Sequence, residues 1–213
     1  SGGNNDLLVA IWMVTYNQEA YIEQAIESVM MQITNFRYKL FIGEDCSTDK
    51  TREICIALQE KYPDKIELIL NKKNIGGNLN AKNIYNACFN SGALYIAMLE
   101  GDDYWTDANK LQKQVDVLEK NAECNICFTN YSIVRRNGDI IPSMARNIFS
   151  VTDFTDLIKG NYINTLSVVF RKGKINELPE WFSKLKIGDW ALYLFLLKNG
   201  EKAVYLNEIT GVY

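Results

Sequence analysis

The run LLVAIWMVTY, residues 7–16, is apolar at almost every position. A strand with one solvated face alternates apolar and polar residues, whereas a continuous run fits a strand buried on both faces. Such a strand needs a sheet covered by helices on each side. Helical spacing follows at once, with Ile22, Ala25, Ile26, Val29 and Met30 on one stripe. YKLFIGEDC (38–46), KIELIL (65–70) and ALYIAML (93–99) read as further strands. Between them come a helix through Ile54 and Leu58, with Ser47, Thr48 and Asp49 as capping residues, and a helix running through Ala87 to Asn90. Leu111, Val115 and Leu118 mark a fourth helix. Strand and helix alternate four times, the pattern of a parallel sheet with right-handed crossovers.

The second half reads differently. CNICFTNYSIVRRNGDII (124–141) predicts a hairpin turning at Asn137-Gly138, and VTDFTDLIKG (151–160) a short helix. TLSVVF (165–170) predicts a strand, and GDWALYLFLLKNG (188–200) a helix stopped by Gly200. This mixed half is expected to cover the mouth of the first.

Residues 1–6 read as a tag remnant or frayed terminus, and 7–213 as a single domain with no internal linker. A net charge of −3 gives no electrostatic footprint for nucleic acid, and no apolar run is long enough to cross a bilayer. Five scattered cysteines favour reduced thiols in a cytosolic compartment. Cys124 and Cys127 form a lone CxxC, which reads as structural because a closed zinc site wants four ligands. The chain has no histidine, so any general base must be a carboxylate, lysine, tyrosine or thiolate.

In parallel sheets of this kind ligands bind beyond the carboxyl ends of the strands. Thr15, Tyr16 and Asn17 fall there after the first strand, Glu44 and Asp45 after the second, and Glu100, Asp102 and Asp103 after the fourth. The last three are hard oxygen ligands suited to Mg²⁺ or Mn²⁺, which completes its shell with phosphate oxygens and water. A solvated acidic turn is the plainer reading of the same residues. Asp45 could cap the next helix or accept an imino N–H from a uracil, thymine or guanine base. A redox dinucleotide site is disfavoured, because TYNQEA (15–20) stands where GxGxxG would be required. Asp189 is either a first-turn helix acid or a base facing the cleft.

Five segments occur in a familiar order: VTYNQEAYIEQAIESVMMQ (14–32), IGEDCSTDKT (42–51), NIGGNLNAKN (74–83), LEGDDYW (99–105) and GDWALYL (188–194). From about Leu7 to Tyr213 the chain resembles the family 2 glycosyltransferases, the inverting GT-A enzymes of bacterial capsule, O-antigen and exopolysaccharide assembly. The resemblance implies an α/β, Rossmann-like, mostly parallel sheet. Residues 7–105 would form the nucleotide-sugar-binding half and 106–213 the acceptor-side half. It implies Thr15, Tyr16 and Asn17 beside the nucleotide, Asp45 on the base, and Lys82 near the base or phosphates. Asp102 would sit on ribose or metal and Asp103 on the Mn²⁺ or Mg²⁺. Glu100 replaces the usual first acid of DxD. Asp189 would be the catalytic base, with Trp190 beside it as a further site residue.

The implied partners are a nucleotide-sugar donor, UDP-sugar favoured, and a glycan or lipid-linked saccharide acceptor at the cytoplasmic membrane face. Family members often continue past the last apolar strand, so ITGVY (209–213) suggests a chain trimmed or short at that end. Asn161, Tyr162 and Thr165 are candidates for the acceptor side. Two other readings share the sheet and the acids: a sugar-nucleotide-binding module without turnover, and a nucleotidyltransferase, although TYNQEA is no Gly-rich phosphate loop. A HAD-type phosphatase would need DxD after the first strand, where no aspartate stands.

Overall fold

The computed structural model of the chain describes residues 7–143, 148–173, 175–185 and 188–213. The expected frayed terminus at 1–6 and part of the loop at 142–150 lie outside the described residues.

Strand β1 (Leu7–Thr15) is buried on both faces, as its composition requires. Val9, Ile11 and Met13 enter one core, while Ala10 and Trp12 enter the other. The first core is filled by helices α1 (Ile22–Met30), α2 (Thr51–Lys61) and α4 (Lys110–Lys120). The second is filled by α3 (Gly77–Phe89) and α6 (Gly188–Leu197). Each fully buried Val, Leu or Ile in these layers contributes about 1.5–3 kcal/mol. Strands β2 (Arg37–Glu44), β3 (Ile66–Leu70) and β4 (Tyr95–Met98) join β1 in the parallel order β3-β2-β1-β4.

Beyond β4 the sheet does not end. β5 (Tyr104–Trp105), β6 (Cys124–Val134), β7 (Ile140–Pro142), β8 (Val151–Thr152), β9 (Val168–Arg171) and β10 (Lys202–Val212) bring it to ten strands. The path continues β4-β9-β6-β10-β5, with β9 antiparallel to both its neighbours and β10 parallel to β6. The second half, expected to cover the mouth of the first, also enters the sheet. Ile126, Cys127, Phe128, Val168, Val169 and Phe170 are all buried, so β6 and β9 have no solvated face and must lie inside the sheet. The second half extends the sheet sideways and walls the cleft from one flank.

Local expectations fare unevenly. The hairpin from β6 to β7 forms around Asn137-Gly138, with Arg135 N–H donating to Asp139 O. α5 (Phe154–Leu157) is capped by Asp153, and Gly200 follows α6 with φ 97°. TLSVVF opens with a 3₁₀ turn at Thr165–Ser167 before the strand begins. Ser47 and Thr48 do not cap α2. Ser47 Oγ accepts from Asn17 N–H, Thr48 N–H donates to Asn17 Oδ1, and Asp49 alone accepts from Thr51 N–H at the helix start. The five cysteines are free, with Cys124 and Cys127 buried.

Candidate active site

Leu99 N–H donates to Trp12 O and Gly101 N–H to Val14 O, so the chain leaves β4 still tied to β1 as it enters the acidic turn. Gly101 lets the turn pass close to Thr15 and Gln18. A Cβ at that position would lie 2.5 Å from Gln18 Oε1 and 3.0 Å from Thr15 Oγ1. The turn carries Glu100, Asp102 and Asp103, whose ligand atoms lie within 4.8 Å of one another. Asp103 is 3% exposed, and its Oδ2 has no hydrogen-bond partner among the described residues. Burial, and then the charges of Asp102 and Glu100, push the Asp103 carboxyl up to about 8. Burial, and then Asp102 and Asp189, push Glu100 up to about 7. Three hard carboxylates, an orphaned buried oxygen and the raised proton affinities of Glu100 and Asp103 are what a divalent cation would relieve. The donor set fits Mg²⁺ or Mn²⁺.

A cavity of about 210 Å³ opens beside this turn, lined among others by Thr15, Tyr16, Asp45, Asn80 and Asp102. Thr15 is buried and donates from Oγ1 to Gln18 Oε1, whereas Tyr16 is 43% exposed. Asp45, buried at the end of β2, accepts from Asn71 Nδ2 and Ile75 N–H through Oδ1 and from Gly76 N–H through Oδ2. It therefore shapes the loop that leads into α3. Of roughly four acceptor positions on a carboxylate, one is left to face a ligand. Asn17 and Cys46, just past β1 and β2, hold left-handed φ of 52° and 61°. Strain of that kind in non-glycine residues is concentrated at functional loops.

A larger cavity of about 580 Å³ lies on the other side of Glu100. Asn161, Tyr162, Thr165, Asp189 and Tyr213 line it, and so does Glu100, which borders both cavities. Asp189 stands in the first turn of α6 and accepts from Asn161 Nδ2 at 3.2 Å.

Asp103 lines neither cavity, and other sequence candidates also fall outside the two. Asn17 secures the loop between β2 and α2 through its bonds to Ser47 and Thr48. Lys82 lies on α3 but lines neither cavity. Trp190 packs against the second core and donates from Nε1 to Leu157 O. Glu44, counted on the rim from sequence, is a structural group: it is fully buried, paired with Arg52, and accepts from Ser47 N–H. Sequence reasoning missed Asn71 and Asn80. Asn80 is one of several asparagines in NIGGNLNAKN, and only the fold shows that its side chain is buried against Gly43.

Residues 10–178 match the sequence profile described as Glycosyl transferase family 2. The chain belongs to that family. An uncharacterized Mycobacterium tuberculosis protein, Rv1520, is 36% identical over 168 residues, covering 77% of this chain and 47% of that protein. The Escherichia coli UDP-Glc:alpha-D-GlcNAc-diphosphoundecaprenol beta-1,3-glucosyltransferase WfgD is 30% identical over 174 residues, covering 81% of this chain and 63% of that enzyme. The chain thus spans about half to two thirds of the length of these relatives. S. aureus TarS 1-349 in complex with UDP superposes with a TM-score of 0.73 at 16% identity, over 97% of this chain and 60% of that one. The mannosyltransferase PcManGT of Pyrobaculum calidifontis, in complex with GDP-Man and Mn²⁺, gives 0.69 at 16% identity, over 99% and 58%. These likenesses identify the fold as that of the GT-A glycosyltransferases.

Proposed function

We propose that this family 2 domain transfers a sugar, with inversion, from a nucleotide-diphospho-sugar to an acceptor hydroxyl in bacterial cell-surface polysaccharide assembly. A UDP-sugar is the favoured donor. The observation that carries the reading is Glu100 bordering both cavities, with the acidic turn on one side and Asp189 on the other. Residues 7–105 form the donor half and 106–213 the acceptor half. The UDP named with TarS and with WfgD, and the Mn²⁺ named with PcManGT, support the donor and metal by analogy.

Thr15, Tyr16 and Asp45 line the smaller cavity and are assigned to the nucleoside, Asp45 through its one remaining acceptor position. Asp103 and Asp102, with Glu100, would hold the divalent cation, which supplies charge stabilisation to the departing diphosphate. Asp189, in the larger cavity, takes the proton of the acceptor hydroxyl as that oxygen attacks C1 of the sugar. In a chain without histidine a carboxylate is the natural base. A single displacement with one base inverts C1, whereas retention by a covalent intermediate needs a second, nucleophilic carboxylate close to the first. Glu100, the other acid lining the larger cavity, is committed to the acidic turn. Among the described residues no helix is long and apolar enough to cross a membrane. The proposed acceptor is a glycan or a lipid-linked saccharide at the cytoplasmic membrane face.

Asp189→Asn separates an enzyme from a binding module. In an enzyme it leaves UDP affinity intact and lowers sugar transfer by about 10²–10⁴-fold. Unchanged transfer rules out Asp189 as the base. Tight UDP binding with no transfer by the wild type, given suitable acceptors, points to a module.

A further inference from the structure

We infer that Asn161 is the positioning residue for Asp189, holding its carboxylate in the larger cavity through a neutral N–H. This rests on the proposed role of Asp189 as base. Asn161 lies on the segment between α5 and β9, and Asp189 opens α6, so the fold joins two stretches 28 residues apart.

The amide has one workable orientation. Its Oδ1 accepts from Ile163 N–H at 3.1 Å, and its Nδ2 donates to Asp189 Oδ2 at 3.2 Å. Flipping it would set N–H against N–H and oxygen against carboxylate. Ile163 is buried in the second core, so the anchor is rigid.

The choice of a neutral donor suits a base. A lysine or arginine beside Asp189 would lower its proton affinity by about 1–3 pH units, and among the described residues none forms an ion pair with it. Among the described residues, Glu100 after β4, Tyr85 on α3 and Tyr193 on α6 are titratable groups that interact with Asp189. None of them offers a positive charge. An amide fixes the direction of the carboxylate without setting a positive charge beside it.

Two variants divide positioning from local structure. Asn161→Asp keeps an acceptor for Ile163 N–H and loses the donor to Asp189, while Asn161→Ala loses both. The readout is the titration of the Asp189 carboxyl by ¹³C NMR of aspartate-labelled protein in metal-free buffer, its signal assigned by its loss in Asp189→Asn. The expected result is a midpoint raised by about half a pH unit in Asn161→Ala and about one or more in Asn161→Asp, with Asn161→Asp melting close to wild type. An unchanged midpoint in Asn161→Asp overturns the inference. If Asn161→Ala fails to fold, Asn161→Asp still decides. Failure of the parent reading shows separately, as wild-type release of UDP from UDP-glucose by Asp189→Asn.

Discussion

Asn80 Nδ2 donates to the carbonyl oxygen of Gly43 at 2.8 Å, and a Cβ on Gly43 would come within 2.5 Å of Asn80 Oδ1. Helix α3 thus packs on β2 at a point where only glycine fits. The contact also reaches the candidate donor site, because Asn71 Nδ2 donates both to Asn80 Oδ1 and to Asp45 Oδ1. Gly43→Ala is expected to destabilise the fold by about 1–3 kcal/mol through overpacking. It should also weaken UDP binding by disturbing Asp45. Urea denaturation and calorimetry read the two effects, and unchanged values in both would show that the contact yields freely.

Arg52 is the ion-pair partner of Glu44, and it also donates to Asn71 O. Because Glu44 is fully buried, Arg52→Ala leaves a charge without its counterion. A loss of about 3–5 kcal/mol is expected, whereas the paired change Arg52→Met with Glu44→Gln should cost much less. Chemical denaturation of both variants checks this, and equal losses would contradict it.

The acidic turn makes stability depend on pH in a defined direction. Asp103 moves from 3.8 to about 8 and Glu100 from 4.5 to about 7. Across that window the folded chain holds more protons than the unfolded chain, so stability falls as pH rises from about 4 to about 8. In chelator, Asp103→Asn should match wild type near pH 4 and melt several degrees higher near pH 8.5. Melting curves at the two pH values are sufficient. A variant less stable than wild type at pH 8.5 would mean that the carboxylate is already satisfied there.

The readable part of this protein was its periodicity. Residues 7–16 announced burial on both faces, and β1 divides its side chains between two cores as that demands. The acidic turn was visible because three acids directly follow an apolar strand. Partners were not visible. β6 and β9 read as apolar strands, but nothing in their pattern names β4 and β10 as neighbours, so the lateral extension of the sheet was missed. Glu44 and Asp45 are adjacent and chemically alike, yet the pleat sends one to Arg52 inside the fold and the other to the cavity. The Asn161–Asp189 bond likewise depends on a loop meeting the first turn of α6 in space.

The central claim is that Glu100, Asp102 and Asp103 hold a cation together with a nucleoside diphosphate. The most direct measurement is the melting temperature of wild type and Asp103→Ala with UDP, GDP, dTDP, ADP or CDP, each with and without Mn²⁺. Ligand at a hundredfold over its dissociation constant stabilises by about 2.7 kcal/mol. The expected result is a shift for wild type with UDP that needs Mn²⁺, and none for a cooperatively melting Asp103→Ala. A shift of equal size without metal, or in the Asp103→Ala protein, would contradict the claim.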